Sequence, residues 1–183
     1  MTTEEMFILG GTHLAPYINL ATLLIGKSRE GGGNMFRHQI DTMGILIDFG
    51  YIDSVLLKAA LVHDIIEDVP NFSHNRLLSL DYEGTSVYDL VLEVTRFHGE
   101  SKSEFLTRIR EHGSHKAKVL KVADRISNMI SLGFVNKQEF LIRYTKETID
   151  YILPIAQEVD KDMLAELETL VATRRQYMTI LNT

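Results

Sequence analysis

Residues 53–70 read DSVLLKAALVHDIIEDVP, and the spacing of the apolar residues in this stretch decides the fold class. Leu56, Leu57, Ala60, Leu61 and Ile65 recur at three- and four-residue intervals, the period of a helix with one buried face. Asp53 or Ser54 offers an N-cap, and Pro70 forces the helix to stop. The same period continues outward on both sides. Helices are predicted over about 14–27, ending at the loop Glu30 to Asn34 that includes Gly31, and over about 36–49 with Gly50 as C-terminal cap. Beyond Pro70 a short segment near 74–79 leads into a helix predicted over about 85–97, and further helices are predicted from a Ser114 cap to before Gly133, over about 137–152 and over about 160–181. The polar stretch from Phe97 to Ser114, bounded by Gly99 and Gly113, reads as a loop that includes a helical turn. Strict alternation is scarce, so the expectation is an all-α fold, with residues 1–183 forming a single domain.

Composition narrows the function. The 183 residues suit one domain, and 45% apolar with 24% charged residues matches a folded globular protein. Nineteen Lys and Arg against twenty-five Asp and Glu give a net charge of −6, the wrong sign for binding nucleic acid through its phosphates. With no Cys, any metal must be held by His, Asp, Glu or water. Glu4 and Glu5 open a segment unlike a secretory signal, and no apolar run reaches membrane-spanning length, so a cytoplasmic protein without membrane or nucleic-acid partners is expected. Gly26-Lys27-Ser28 ends like a phosphate-binding P-loop, but Ala21 stands where that motif needs glycine, and a helix precedes it in place of a strand.

The end of the 53–70 stretch carries the chemistry. His63, Asp64, Glu67 and Asp68 lie among aliphatic residues, and helical spacing pairs His63 with Glu67 and Asp64 with Asp68. Three carboxylates in a last turn repel one another and oppose the helix dipole, so a compensating cation is expected. A plainer alternative makes Glu67 and Asp68 a solvated helix end and His63 a core imidazole paired with Asp64. A second segment, Lys121 to Asn128, has the same character: Asp124 sits among Val122, Ala123 and Ile126, with Asn128 one turn on. A buried carboxylate needs a partner, which Lys121 or Arg125 can provide as an ordinary ion pair. His38, after Phe36 and Arg37, is by itself either a core or capping residue or a ligand.

Taken together, His38, His63-Asp64 and Asp124 resemble the four-ligand signature of the HD-domain metal phosphohydrolases. More narrowly, His63-Asp64-x-x-Glu67-Asp68 and Lys121-Val-Ala-Asp124-Arg125-x-x-Asn128-Met129 resemble the hydrolase domains of the RelA/SpoT family, in particular its stand-alone small alarmone hydrolases. The similarity runs from about Ala21 to Met129. Gly26-x-x-Arg29 corresponds to the family's Gly-Gln-x-Arg stretch, whose Arg contacts the nucleotide. Glu93 to Arg96 is similar to its valine-threonine-basic motif, and Ser131 stands where Thr is usual. The chain departs from the pattern at Gln39 (customarily Pro), Lys27 (Gln), Leu24 (often His) and Glu30 (a basic residue). These changes spare the four ligands and fall around the nucleotide pocket.

The resemblance implies an HD-type helical bundle in which His38, His63, Asp64 and Asp124 hold one divalent ion. Two imidazoles and two carboxylates suit several first-row ions, and the resemblance favours Mn²⁺. Glu67 and Asp68 would orient and deprotonate the attacking water. Asn128 would hydrogen-bond a ligand or the substrate ribose, and Arg29 would stack on the base or pair with phosphate. Ser131 keeps the family's hydroxyl, and Tyr144 either closes the pocket or belongs to the core. Lys102, Lys116, Lys118, Lys121 and Arg125 form a basic stripe able to attract an anion, although Lys116 and Lys118 read better as a solvated face. The implied reaction removes the 3′-pyrophosphate of guanosine tetra- or pentaphosphate, with a small nucleotide as the partner and no room for a synthetase domain. The alternatives are an HD phosphohydrolase acting on NADPH or other (deoxy)nucleotides, and a catalytically silent nucleotide-binding regulatory module.

Overall fold

The computed structural model describes residues 1–30, 32–135 and 137–180, and the 53–70 stretch lies at its centre. Helix α1 covers Thr3–Gly11, α2 Ala15–Ala21, α3 Met35–Asp48, α4 Ser54–Val62, α5 Ile65–Asp68 and α6 His74–Leu78. Helices α7 (Gly84–Val94), α8 (Lys102–His112), α9 (His115–Ser131), α10 (Gln138–Glu147), α11 (Leu153–Val159) and α12 (Lys161–Ile180) follow. Among the described residues the only β pairing is an isolated bridge between Ser28 and Asn34, so the fold is all-α as expected. Every residue of α4 from Leu56 to Val62 is buried, because α2, α3, α7 and α9 pack around it. A helix surrounded on all sides must be apolar all round, and LLKAALV meets that condition except at Lys58. On the far side of α9, α11 and α12 complete the packing.

Lys58 is only 1% exposed, and its ammonium is neutralised on the spot. Nζ donates to Asp81 Oδ2 at 2.6 Å and to Glu83 Oε2 at 2.5 Å, while the Tyr17 hydroxyl donates to Asp81 Oδ1 at 2.8 Å. Burial alone would raise the Asp81 carboxyl, but Lys58 and Tyr17 outweigh it and hold it below its ordinary value. A carboxyl depressed in this way binds fewer protons folded than unfolded. Its stabilisation is therefore present above about pH 4 and is lost as pH falls through the depressed value. Asp81→Asn should lower the unfolding temperature at pH 7, and the gap to the unmodified chain should narrow at pH 3, as thermal melts at the two pH values would show.

Several predicted boundaries are corrected. Residues 97–114 are not mainly loop: α8 occupies 102–112, opened by a capping box of Ser101 and Glu104 and anchored by buried Phe105, Leu106 and Ile109. Three apolar anchors in a polar segment suffice once α9 and the turn at 148–152 pack against them. The helix predicted over 14–27 ends at Ala21 and tightens into a 3₁₀ turn over Thr22–Leu24, and Gly26 then reverses the chain at φ +86°. The helix predicted to reach Pro70 breaks at His63-Asp64. The one predicted over 137–152 changes to a π-helical turn at Thr148–Ile152, and Pro154 opens α11, which the periodicity reading omits. Helix α1, also unpredicted, is started by a Thr2–Glu5 capping box and buries none of its residues. Gly50 does take the left-handed cap conformation, at φ +78°. Gly31 and Leu181, within predicted segments, lie outside the described residues.

Candidate functional site

The first contribution to the site comes from a loop and the helix after it. Gly32 and Gly33, at φ +88° and +74°, turn the chain so that Met35 N reaches Lys27 O at 2.9 Å, and Asn34 caps α3 by accepting from Arg37 N. His38 thereby enters the core from the first turns of α3, its Nδ1 2.8 Å from Ser127 Oγ on α9. Its Nε2 lies 3.0 Å from Asp124 Oδ1 and 3.6 Å from Asp64 Oδ2.

The break after α4 supplies the second contribution. On a continuous helix neighbouring side chains diverge by about 100°. The bend at His63-Asp64 instead brings His63 Nε2 within 3.2 Å of Asp64 Oδ2. The turn interrupts the helix between His63 and Glu67, while Asp64 and Asp68 keep the helical hydrogen bond from Asp68 N to Asp64 O at 2.9 Å. His63 Nδ1 donates to Ala60 O at 2.9 Å, which orients the ring so that Nε2 faces the cluster. That nitrogen is buried and has no aligned hydrogen-bond partner among the described residues.

Asp124, on α9, closes the group. Its Oδ2 accepts from Lys121 Nζ at 2.7 Å, so the expected ion pair forms with Lys121, while Arg125 turns away to Glu147 and Thr148. Asn128 Nδ2 donates to Asp124 Oδ1 at 2.5 Å. One ligand atom each from His38, His63 and Asp124 lies within 4.8 Å of the other two, and Asp64 borders the same point. All four predicted ligands, drawn from three separate segments, are brought together.

The electrostatics of the cluster favour a cation. Burial disfavours a charged His63, but Asp64 and Asp124 outweigh it and push its pKa up to about 10. Burial dominates at His38 and lowers its pKa. Asp124 and Asp64 are both depressed: burial opposes their charge, but Lys121 and the imidazoles overcome it at Asp124, and His63 followed by His38 at Asp64. Two ionised carboxylates gathered against two imidazoles make a mixed nitrogen and oxygen donor set of the kind that fits a divalent ion.

Beside this cluster is a cleft of about 300 Å³, lined by His38, Asp64, Glu67, Asp68, Asp124 and Asn128 together with Lys27, Arg29, Lys102, Lys121 and Tyr144. The cation expected beside the acidic turn is Lys27, whose Nζ donates to Asp68 Oδ1 at 2.6 Å and to the Asp68 carbonyl at 3.1 Å. Glu67 accepts from the Arg96 backbone N–H. Arg29 donates to Asn128 Oδ1 at 2.5 Å and to Ser131 Oγ at 3.3 Å, which ties the loop to α9. Tyr144 lines the cleft with its ring 4.1 Å from the Arg125 guanidinium carbon. Burial, with Lys121 and Arg125 nearby, lowers Lys102 to about 8. Lys116 and Lys118 pair instead with Asp53 and Glu158 on the surface, as a solvated face would.

Sequence reasoning missed Ser127 and the part played by Gln39. Ser127 follows Asp124 by three residues and so shares its face of α9. Gln39, Thr42 and Leu46 follow the buried stripe of α3 at helical spacing, so a polar side chain at 39 was a legible signal.

Comparison with known proteins places these features. No family model matches the chain. It is 30% identical over 85% of its length to a probable guanosine-3′,5′-bis(diphosphate) 3′-pyrophosphohydrolase of Mycoplasma pneumoniae, and 28% identical over 82% to the protein of the same name in Mycoplasma genitalium. The bifunctional (p)ppGpp synthase/hydrolase RelA of Mycobacterium tuberculosis is 30% identical over 72% of the chain. The chain is a homologue of the RelA/SpoT proteins. It spans 23% of each Mycoplasma relative and 18% of the mycobacterial one. Its fold is that of a solved metazoan ortholog of SpoT that hydrolyses ppGpp, with a TM-score of 0.73, 23% identity and coverage of 95% of this chain and 97% of that one. The all-α HD-type bundle expected from the RelA/SpoT resemblance is therefore the observed fold. Among the described residues no single helix is long and apolar enough to cross a membrane.

Proposed function

We propose that this protein is a metal-dependent phosphohydrolase that removes the 3′-pyrophosphate of guanosine tetra- or pentaphosphate, converting ppGpp and water into GDP and pyrophosphate. The observation that carries the reading is the meeting of His38, His63, Asp64 and Asp124 at the unpaired His63 Nε2, on one wall of a cleft that also holds several cations. These four residues would hold the ion, with Mn²⁺ the favoured metal. When bound, the ion lowers the pKa of water and polarises a phosphoryl oxygen.

The remaining steps fall to the chain's own side chains. Glu67 and Asp68 orient the attacking water and take its proton, Asp68 being steadied by Lys27 and Glu67 by the Arg96 amide. Cleavage breaks the bond between the 3′ oxygen and phosphorus, and that oxygen regains a proton. Asn128 lies between Asp124 and Arg29 and so connects the ligand set to the nucleotide side of the cleft. Arg29 meets the base or a phosphate, Ser131 holds Arg29, and Tyr144 lines the same cleft. Residues 1–183 act as one catalytic unit with a small-molecule nucleotide partner, in the cytoplasm.

Glu30 favours a second reading, because this acidic residue lines the cleft where the resembled family has a basic one. It would disfavour a second diphosphate and admit NADPH or another nucleotide at the same centre. Assay of Mn²⁺-loaded protein with ppGpp, NADPH and common nucleotides, scoring pyrophosphate and phosphate separately, tests both. Pyrophosphate from ppGpp supports the first reading; phosphate from NADPH with ppGpp untouched supports the second. Arg29→Ala should raise KM more than it lowers kcat if Arg29 contributes mainly to ground-state binding, as steady-state kinetics on the accepted substrate would show.

A further inference from the structure

Each proposed ligand is steadied by a contact outside the ligand set, and for one of them that contact is Gln39, which stands where the resembled family customarily has Pro. His38 is held through Nδ1 by Ser127, His63 by the Ala60 carbonyl, and Asp124 by Lys121 and Asn128. Asp64 is the most exposed of the four, at 24% against 2–8% for the others, and without an anchor its carboxylate would swing into the cleft. Its anchor is Gln39. This side chain is fully buried, and its Nε2 donates at 2.9 Å to Asp64 Oδ2, the oxygen that faces both imidazoles. The amide orientation is settled by charge, because turning it over would set Oε1 against the carboxylate.

The other end of the same amide makes the case stronger. Gln39 Oε1 is buried and has no hydrogen-bond partner among the described residues. An unpaired buried acceptor costs stability, so an apolar side chain of the same size would suit the core at least as well. The amide is explained by what its donor end does. Where the resembled family has Pro, which carries no side-chain donor, this chain places a donor beside His38 and aims it at the next ligand. The departure at position 39 thus bears on a proposed ligand and not on the lining of the cleft, contrary to the expectation from sequence.

Resting on the metal-centre reading above, we propose that Gln39 is a positioning residue that holds Asp64 Oδ2 toward the ion. The test is Mn²⁺ binding to the chelator-stripped full-length chain, with free Mn²⁺ followed by its electron paramagnetic resonance signal. Wild type should take up one Mn²⁺ per chain. Gln39→Leu should bind at least ~10-fold more weakly, as expected for loss of an outer-shell partner, while its metal-free unfolding temperature stays level or rises. In an Asp64→Ala background the same substitution should change affinity by less than about two-fold, because its effect runs through that carboxylate. If Gln39→Leu does not fold, Gln39→Met keeps the length without the donor and serves in its place. Wild-type affinity in the single variant, or an equal loss with and without Asp64, overturns the role of Gln39 while the metal centre stands. Failure of wild type to bind Mn²⁺ overturns the metal centre and this inference with it.

Discussion

Glu67→Gln combined with Asp68→Asn is expected to lower turnover by about 10²- to 10⁴-fold, the range associated with loss of a general base, while metal content stays near that of the unmodified chain. Both carboxylates line the cleft beside the four-residue cluster, and neither is among the ligand atoms that converge there. Each is held from the side by a neighbour, Glu67 by the Arg96 amide and Asp68 by Lys27; the amide replacements keep the side-chain shape and remove the negative charge, with it the Lys27 ion pair and the ability to accept a proton. Elemental analysis beside a turnover assay decides the matter. Loss of metal in the double variant would make the pair ligands, and retained turnover would exclude them as the base.

His63→Ala should abolish stoichiometric metal in protein purified without chelator and reduce turnover by more than about 100-fold, the upper end for losing even an outer-shell contact. The substitution removes the Nε2 that faces Asp64 and Asp124 and leaves those carboxylates with His38 as their one remaining imidazole among the described residues. The competing view of His63, a core imidazole paired with Asp64, predicts a different result: lower stability with metal content unchanged. Measuring metal and unfolding temperature on the same preparation separates the two.

Much of this molecule could be read before its tertiary structure. Helices 35–48, 84–94 and 115–131 follow from apolar spacing, because those segments bury one stripe and obey the periodic rule. The pair of segments around His63-Asp64 and Asp124 was also legible, since ionisable groups among aliphatic residues must be partnered once buried. Helix α8 was not legible in the same way. Its three apolar anchors sit in a strongly polar stretch, and only contact with α9 and the 148–152 turn makes them a buried face.

From residue type and local spacing, the sequence by itself determined the all-α class and the need for a cation near Glu67 and Asp68, and its resemblance to the HD-domain phosphohydrolases singled out His38, His63, Asp64 and Asp124. Tertiary structure alone decided where the α4 helix breaks, that Lys27 is the cation, that Lys121 and not Arg125 meets Asp124, and that Gln39 reaches Asp64. The reason is physical. Period and composition are properties of neighbours along the chain, whereas these contacts join residues from separate helices, or settle which of two nearby cations faces inward, and both depend on how α3, α4 and α9 pack.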